Sequence, residues 1–248
     1  MATNQSIKTA YYPIFLDLRD KNVLVVGGGK VAERKILNLL RYGCRIHVVS
    51  PELTSQLQKL VVEKKIQHIH EQSMDQAMSE ASMVIAATDD AVVNGQIASR
   101  AKEKGLLVNA VDQPRDCNFI MPSIVKSGDL QIAISTGGKS PALAKKTRKE
   151  LQALFGSEYG SLVKLLGMLR EEVLARSDTS SQNKAFFESL VNSDLLELIR
   201  KRDIDGIRAT LRSNLGEGFP VDDIVAQVFK KQTKKTVNKG KGSRQNQR

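Results

Sequence analysis

The first half of the chain alternates between two hydrophobic patterns, and this alternation constrains the fold more than any other feature. Five short apolar runs, typical of buried strands, occupy residues 22–27, 45–50, 66–70, 83–88 and 106–111. Helical patterns separate most of these runs, although only a short helix, around residues 74–79, fits between the third and the fourth. Such alternation predicts an α/β fold with a doubly wound parallel sheet and right-handed crossovers, a Rossmann-type domain.

Beyond residue 113 the pattern becomes that of a hairpin followed by helices. Residues 118–138 predict two strands joined by a Ser-Gly-Asp turn, with alternating apolar residues in the second strand. Pro141 favours a helix start, and helical patterns continue to about Phe229. The predicted domains are a Rossmann domain at 1–113, a hairpin and helix segment at 114–156, a helical domain at 157–229 and a basic tail at 230–248.

Composition separates the tail from the rest of the chain. The net charge is +11, but residues 230–248 contain eight basic side chains and no acidic one, so the remainder carries only a small positive excess. The tail is predicted to be disordered, either as a solubilising segment or as one that binds a polyanion. With 4% aromatic residues, the remainder offers no surface for reading nucleic acid, and no such partner is expected.

Other features concern location and metals. The sequence contains no run near the roughly 18 apolar residues that a membrane span needs, so no membrane partner is expected. The N-terminus lacks a secretory signal pattern, and Cys44 and Cys117 are too few for a disulfide framework, which predicts a cytoplasmic protein. His68 and His70 alternate in the third predicted strand without a third ligand nearby, so no metal site is predicted.

A glycine-rich loop follows the first predicted strand and opens a helix. Gly27, Gly29 and Ala32 have the G-x-G-x-x-A spacing of a dinucleotide-binding loop, in the strand–helix context that such a loop requires. The helix N-terminus would then present N–H groups to a pyrophosphate. A plain tight turn is the alternative.

The ends of the second and fourth strands extend this prediction. Glu52 lies where it could either bind ribose hydroxyls or simply begin the next helix, and no arginine follows the strand to hold a 2′-phosphate. NAD is therefore predicted over NADP. The predicted NAD-binding residues are Gly27, Gly28, Gly29, Lys30, Val31, Ser50, Pro51, Glu52, Thr88 and Asp89.

An acidic residue, Asp112, follows the fifth apolar run, two residues before a proline. Asp in this position is common turn chemistry. The alternative is functional, because the carboxyl ends of parallel strands line the crevice in which such folds bind ligands.

Four motifs, taken in order, resemble one family. They are YYPIFLDLRDKNVLVVGGGKVAERK at 11–35, IAATDD at 85–90, NAVDQPRDCNFIMPSI at 109–124 and ISTGGKSPALA at 134–144. They are similar to the precorrin-2 dehydrogenase and sirohydrochlorin ferrochelatase family, the N-terminal region of siroheme synthases. The resemblance implies NAD-dependent oxidation of precorrin-2, a polycarboxylate tetrapyrrole, to sirohydrochlorin, and a homodimer formed through the hairpin and helical segments.

The resemblance also implies roles for individual residues. Asp112 matches the family's catalytic aspartate, suited to take a proton beside the hydride acceptor. Thr136 stands where fused siroheme synthases carry a functional serine. The expected substrate contacts are Asn109, Arg115, Thr136 and Lys139. Two alternatives stay open: a bifunctional enzyme that also inserts iron, with weak or no chelation expected here, and a regulatory module that senses NAD.

Overall fold

A computed structural model of the chain describes residues 11–176, 180–216 and 218–229. The predicted basic tail at 230–248 lies outside the described residues. The chain divides into two compact units. The first contains the residues up to Pro122 together with the loop Thr136–Ser140, and the second contains Ser123–Ser135 and the residues from Pro141 onward.

The first unit is built on a five-stranded sheet in which every pair of neighbours is parallel. Its strands are β1 (Asn22–Val26), β2 (Arg45–Val49), β3 (Gln67–His68), β4 (Met83–Ala86) and β5 (Leu107–Ala110). They lie in the order β3-β2-β1-β4-β5, so the winding reverses direction between β1 and β4. The predicted Rossmann-type fold class is confirmed, and this reversal marks the crevice where such sheets bind ligands.

Four helices connect the strands and cover the sheet: α1 (Lys30–Leu39), α2 (Ser55–Val62), α3 (Met74–Glu80) and α4 (Ala91–Glu103). The apolar positions of α1 recur at helical spacing, and they bury Ala32, Ile36 and Leu39 in the core on one side of the sheet. A second core fills the other side and includes Leu24 and Ile97. β1 is buried on both faces, which explains its continuous apolar sequence.

The third strand is shorter than the sequence predicted. The apolar run at 66–70 forms only the two residues of β3, because this strand lies at the edge of the sheet and only Ile66 in the run is buried. The His68 ring lies 2.9 Å from the Ser50 carbonyl oxygen, so its nitrogen Nε2 has a backbone partner.

The opposite edge, β5, is covered by the chain that follows it. The Asn118 amide accepts a hydrogen bond from the Val108 N–H (2.7 Å) and donates one to the Leu106 carbonyl (2.7 Å). These bonds occupy backbone groups that an edge strand would otherwise expose. They also explain why residues 114–122 belong to the first unit, whereas the sequence assigned them to the hairpin segment.

The second unit combines a two-stranded antiparallel hairpin with helices. Gly128, at the hairpin turn, approaches Gly160 so closely that a Cβ on either residue would lie 2.9 Å from the other's backbone. The Ser127 hydroxyl reinforces this approach by accepting the Gly160 N–H at 3.1 Å. The elements are β6 (Ser123–Ser127), β7 (Leu130–Ile134), α5 (Pro141–Leu154), α6 (Ser157–Arg176), α7 (Ser180–Val191), α8 (Leu195–Lys201), α9 (Ile204–Leu215) and α10 (Val221–Phe229).

The helices of the second unit pack around their own apolar core, which includes Leu165, Leu169, Leu195 and Leu211. Across the residues that the structure describes, no helix is both long and apolar enough to span a membrane.

Candidate active site

Two glycines of the loop after β1 are required by the chain's own packing. Gly27 has a φ of +118°, and a Cβ there would overlap the carbonyl group of Ala87. A Cβ on Gly28 would overlap the carbonyl oxygen of Glu52 and lie 2.7 Å from the Ser50 hydroxyl. These contacts bring the glycine loop directly against the carboxyl ends of β2 and β4.

Gly29 differs from its two neighbours because it faces open space. No atom lies within 4 Å of the position that its Cβ would take. Gly29 is also the N-cap of α1, and no side chain caps that helix end. Open space beside uncapped N–H groups suits an anionic group such as a pyrophosphate. The next two residues, Lys30 and Val31, are exposed at the same helix start.

The turn between β2 and α2 supports the loop. Thr54 donates its N–H to the Gly28 carbonyl (3.1 Å) and its hydroxyl to the Glu33 carboxylate (2.5 Å). The bond from Thr54 lowers the pKa of Glu33 below its ordinary value. The Ser50 hydroxyl is used within the turn, where it donates to the Glu52 carbonyl at 2.7 Å. Among the predicted NAD-binding residues of this turn, the side chains exposed to a ligand are therefore those of Pro51 and Glu52.

Thr88 is fixed by a residue that the sequence analysis did not single out. The buried side chain of Asn94, on α4, accepts the Thr88 N–H (3.0 Å) and hydroxyl (2.8 Å) and donates to the Thr88 carbonyl (3.0 Å). Asp89 is exposed, and Asp90 caps α4 by accepting the N–H of Val92 at 2.7 Å. An Asn six residues after Thr88 in a helical pattern was the only available signal for this arrangement.

Asp112 follows β5 in an unusual conformation. Its φ is +58°, in the left-handed region, and its side chain is exposed. Aspartate tolerates this region better than most residues because its side chain can hydrogen-bond locally. Here it does not: the carboxylate forms no hydrogen bond or ion pair with any described residue. The side-chain bond expected of an ordinary Asp turn is therefore missing.

The turn around Asp112 is held from both sides. Gln113 donates its side-chain N–H to the Ala91 carbonyl of α4 at 2.6 Å. The half-buried thiol of Cys117 lies 3.2 Å from the Ala110 nitrogen and 3.3 Å from the Gln113 carbonyl oxygen. Because these bonds bracket residues 110–113, they fix the backbone that carries the Asp112 carboxylate.

Asn109 and Lys35 form a contact that connects β5 with α1. The Lys35 ammonium donates to Asn109 Oδ1 at 2.8 Å and lies 3.5 Å from the sulfur of Met121. Burial lowers the pKa of Lys35, and neighbouring Arg34 lowers it further. Sequence reasoning missed Lys35, because a lysine within an amphipathic helix gives no sign of being half-buried.

The remaining predicted substrate contacts are exposed or form other hydrogen bonds. Arg115 is exposed, and its carbonyl accepts the Lys102 ammonium at 3.2 Å. Thr136 closes the loop before α5 by accepting the Ser140 N–H at 3.0 Å, and Lys139 in that loop is exposed. The structure therefore joins the glycine loop, the β2–α2 turn and Thr88 by direct contacts. Substrate contact by Asn109, Arg115, Thr136 and Lys139 stays a prediction.

No group of three or more histidine, cysteine, aspartate or glutamate side chains suited to a metal ion occurs among the described residues. The two cysteines are unpaired, and burial raises the pKa of Cys44.

Three protein families match the chain in series. A family described as NAD(P)-binding matches residues 14–123, the sirohaem biosynthesis protein central family matches residues 127–154, and the sirohaem synthase dimerisation region matches residues 158–215. The first match contains every residue of the glycine loop and of the Asp112 turn.

Curated relatives and one solved structure agree with this series. The siroheme synthase of Photorhabdus laumondii is 38% identical over 205 residues, which is 83% of this chain and 44% of that protein. The siroheme synthase of Nitrosospira multiformis is 39% identical over 223 residues, 88% of this chain and 47% of that protein. The chain thus spans less than half the length of these relatives. The structure of SirC, a precorrin-2 dehydrogenase, has a TM-score of 0.64 and 26% identity, covering 78% of this chain and 96% of that one.

Proposed function

Because this chain belongs to the siroheme synthase family through its NAD-binding, central and dimerisation regions, we propose that it oxidises precorrin-2 to sirohydrochlorin with NAD. The observation that carries the proposal is the position and exposure of the Asp112 carboxylate. Its carboxylate lies at the carboxyl end of β5, is exposed, and forms no hydrogen bond or ion pair with any described residue.

The residues of the glycine loop fit a dinucleotide. Gly29 leaves room for a pyrophosphate, and the first turn of α1 supplies N–H donors to it. Exposed Glu52 is suited to accept hydrogen bonds from ribose hydroxyls, which favours NAD over NADP. Bound NAD supplies the hydride acceptor.

Asp112 would accept the proton that the oxidation of precorrin-2 releases. Oxidation of precorrin-2 removes two electrons as a hydride and releases one proton, and a carboxylate positioned at the crevice can accept that proton. The fixed backbone at residues 110–113 holds the carboxylate in place without using its charge. Exposed Arg115 and Lys139 would attract the carboxylates of the substrate.

The test is Asp112→Asn. Asparagine has the same shape and also tolerates a positive φ, so the variant should fold and bind NAD as before. Loss of the base should lower kcat for precorrin-2 oxidation by about 10² to 10⁴-fold. Asp112→Ala should lose as much activity but also some stability, since alanine tolerates this backbone less well. A kcat within about threefold of wild type in a folded Asp112→Asn variant would contradict the role of Asp112.

Metal insertion is a separate question for the same protein. We expect weak or no insertion of iron into sirohydrochlorin, because Asp112 is the one base that we assign to the crevice. Purified protein given sirohydrochlorin and Fe²⁺ without NAD should show little absorbance change. A rate comparable to that of precorrin-2 oxidation would establish a bifunctional enzyme and leave the dehydrogenase proposal intact.

The match to a dimerisation region supports a homodimer as the working form. Two unpaired cysteines are consistent with a reducing compartment, and we place the protein in the cytoplasm. Sedimentation velocity tests the dimer, and fractionation of cells tests the compartment.

A further inference from the structure

We propose that Lys35 is a positioning residue for the Asp112 turn, which it orients through Asn109. The inference rests on the proposed function, because it assigns Lys35 to the site that contains Asp112. It concerns a lysine on α1 that lies 74 positions from its partner in the sequence.

The hydrogen bonds of the Asn109 side chain have a fixed direction. A lysine ammonium only donates, so Lys35 requires the oxygen of the Asn109 amide to face it. The amide nitrogen then faces the Phe119 carbonyl, to which it donates at 3.2 Å. The Phe119 carbonyl only accepts, so it requires the same orientation of the amide, and Lys35 supplies the partner of the amide oxygen from α1.

The two hydrogen bonds of Asn109 join segments on either side of the Asp112 turn. Asn109 is in β5 just before the turn, and Phe119 is in the segment that returns along the same strand. Asn109 thus ties together the two sides of the turn that carries Asp112. The same amide nitrogen lies 3.6 Å from the sulfur of Cys117, which itself contacts the backbone on both sides of Asp112.

The charge of Lys35 has no carboxylate partner among the described residues around it. The half-buried ammonium is bound by a neutral amide oxygen and a thioether sulfur, and no described carboxylate lies within ion-pair distance. Burial of a cation without a counter-ion opposes folding. Neighbouring titratable groups act in both directions, since Arg34 lowers the pKa of Lys35 while Cys117 and Asp112 raise it. An apolar side chain would avoid this cost but could not donate to Asn109 Oδ1, so the lysine is explained by the bond with which it holds the Asn109 amide from α1.

The experiment is a double-mutant cycle in the full chain with Lys35→Met, Asn109→Ala and both together. Each single variant should lower kcat by about 10 to 100-fold, as expected when a catalytic group is displaced, while the KM for NAD stays unchanged. Because both residues act through one contact, the double variant should lose no more than the worse single variant. Lys59→Met, which removes an exposed lysine from α2, is the matched control and should leave kcat unchanged.

A second readout does not depend on turnover. The alkylation rate of Cys117 by iodoacetamide, followed by peptide mass spectrometry, reports how well the turn is held, with buried Cys44 as the internal reference. Lys35→Met and Asn109→Ala should each raise the Cys117 rate, and Lys59→Met should not. If wild type fails to oxidise precorrin-2, the proposed function is wrong, and the alkylation rates still test the positioning role.

Three results would overturn the positioning role. They are an unchanged kcat in folded Lys35→Met, losses that multiply in the double variant, and a fall in kcat without any change in Cys117 alkylation. If Lys35→Met does not fold, Lys35→Arg takes its place in the cycle. The guanidinium keeps the charge but needs a different donor geometry, so the same three results apply.

Discussion

A substitution at Gly29 can weaken cofactor binding without disturbing the fold. The change is Gly29→Asp, at the N-cap of α1. No atom lies within 4 Å of the new Cβ, and the φ of −79° at this residue is open to any side chain. Aspartate is among the best N-cap residues and also interacts favourably with the helix dipole, so the free energy of unfolding should stay the same or rise by up to about 1 kcal/mol.

In contrast to the stability, the affinity of Gly29→Asp for NAD should fall. A carboxylate about 4 Å from a phosphate charge is repelled by about 4 kcal/mol at the effective dielectric constant near a protein surface. Since each 1.4 kcal/mol changes a dissociation constant about tenfold, the Kd for NAD should rise by about 10² to 10³-fold. Isothermal titration calorimetry measures the Kd, and urea unfolding measures the stability of the same sample.

Gly27→Ala is the matched control within the loop. Its Cβ would overlap the Ala87 carbonyl, and its φ of +118° is unfavourable for alanine. Overpacking costs about 1–3 kcal/mol, so this variant should lose stability whether or not NAD is present. A stable Gly29→Asp variant that binds NAD with wild-type affinity would refute the assignment of the pyrophosphate to the α1 N-terminus.

Two further predictions concern stability. Gly160→Ala should destabilise the protein by about 1–3 kcal/mol, because its Cβ would lie 2.8 Å from the Ser127 backbone. Gly167→Ala, on the same helix, places its Cβ where no atom lies within 4 Å and should stabilise the protein by about 0.5–1 kcal/mol. Urea unfolding measures both variants, and equal changes in the free energy of unfolding would contradict the close approach of Gly160 to the hairpin. Thr54→Val should cost about 1 kcal/mol from the lost N-cap of α2, and more near neutral pH than in acid. The lowered pKa of Glu33 contributes stability above its ordinary value of 4.5 that is lost as pH falls through the folded value, so a pH-independent loss would contradict the Thr54–Glu33 bond.

The order of strands and helices could be predicted because hydrophobic periodicity is a local property. β1 is buried on both faces and therefore has a continuous apolar sequence, and α1 repeats its buried residues at helical spacing. β3 was predicted too long because an apolar run does not reveal that it will lie at a sheet edge with one buried residue. Periodicity indicates which side chains are apolar, but the partners of a strand come from the rest of the chain.

The candidate site was predictable only in part, for a related reason. The glycine loop has a recognisable spacing, but the spacing does not distinguish Gly27, which the fold requires, from Gly29, which faces open space. Asn94 and Lys35 were missed because their partners are set by tertiary structure. The left-handed conformation of Asp112 is equally invisible in sequence, since aspartate before a proline turn adopts several conformations.

The conformation of Asp112 separates what the fold needs at this position from what the proposed chemistry needs. Glycine and asparagine suit a φ of +58° at least as well as aspartate does, and the carboxylate forms no hydrogen bond or ion pair with a described residue. The backbone conformation therefore gives no reason for a carboxylate here, and the charge adds only an attraction to Lys35 at more than ion-pair distance. Asp112→Gly should accordingly be at least as stable as wild type in urea unfolding and bind NAD normally, but oxidise precorrin-2 as slowly as Asp112→Asn. A marked loss of stability in Asp112→Gly would show that the carboxylate serves the fold and would contradict its assignment to the substrate.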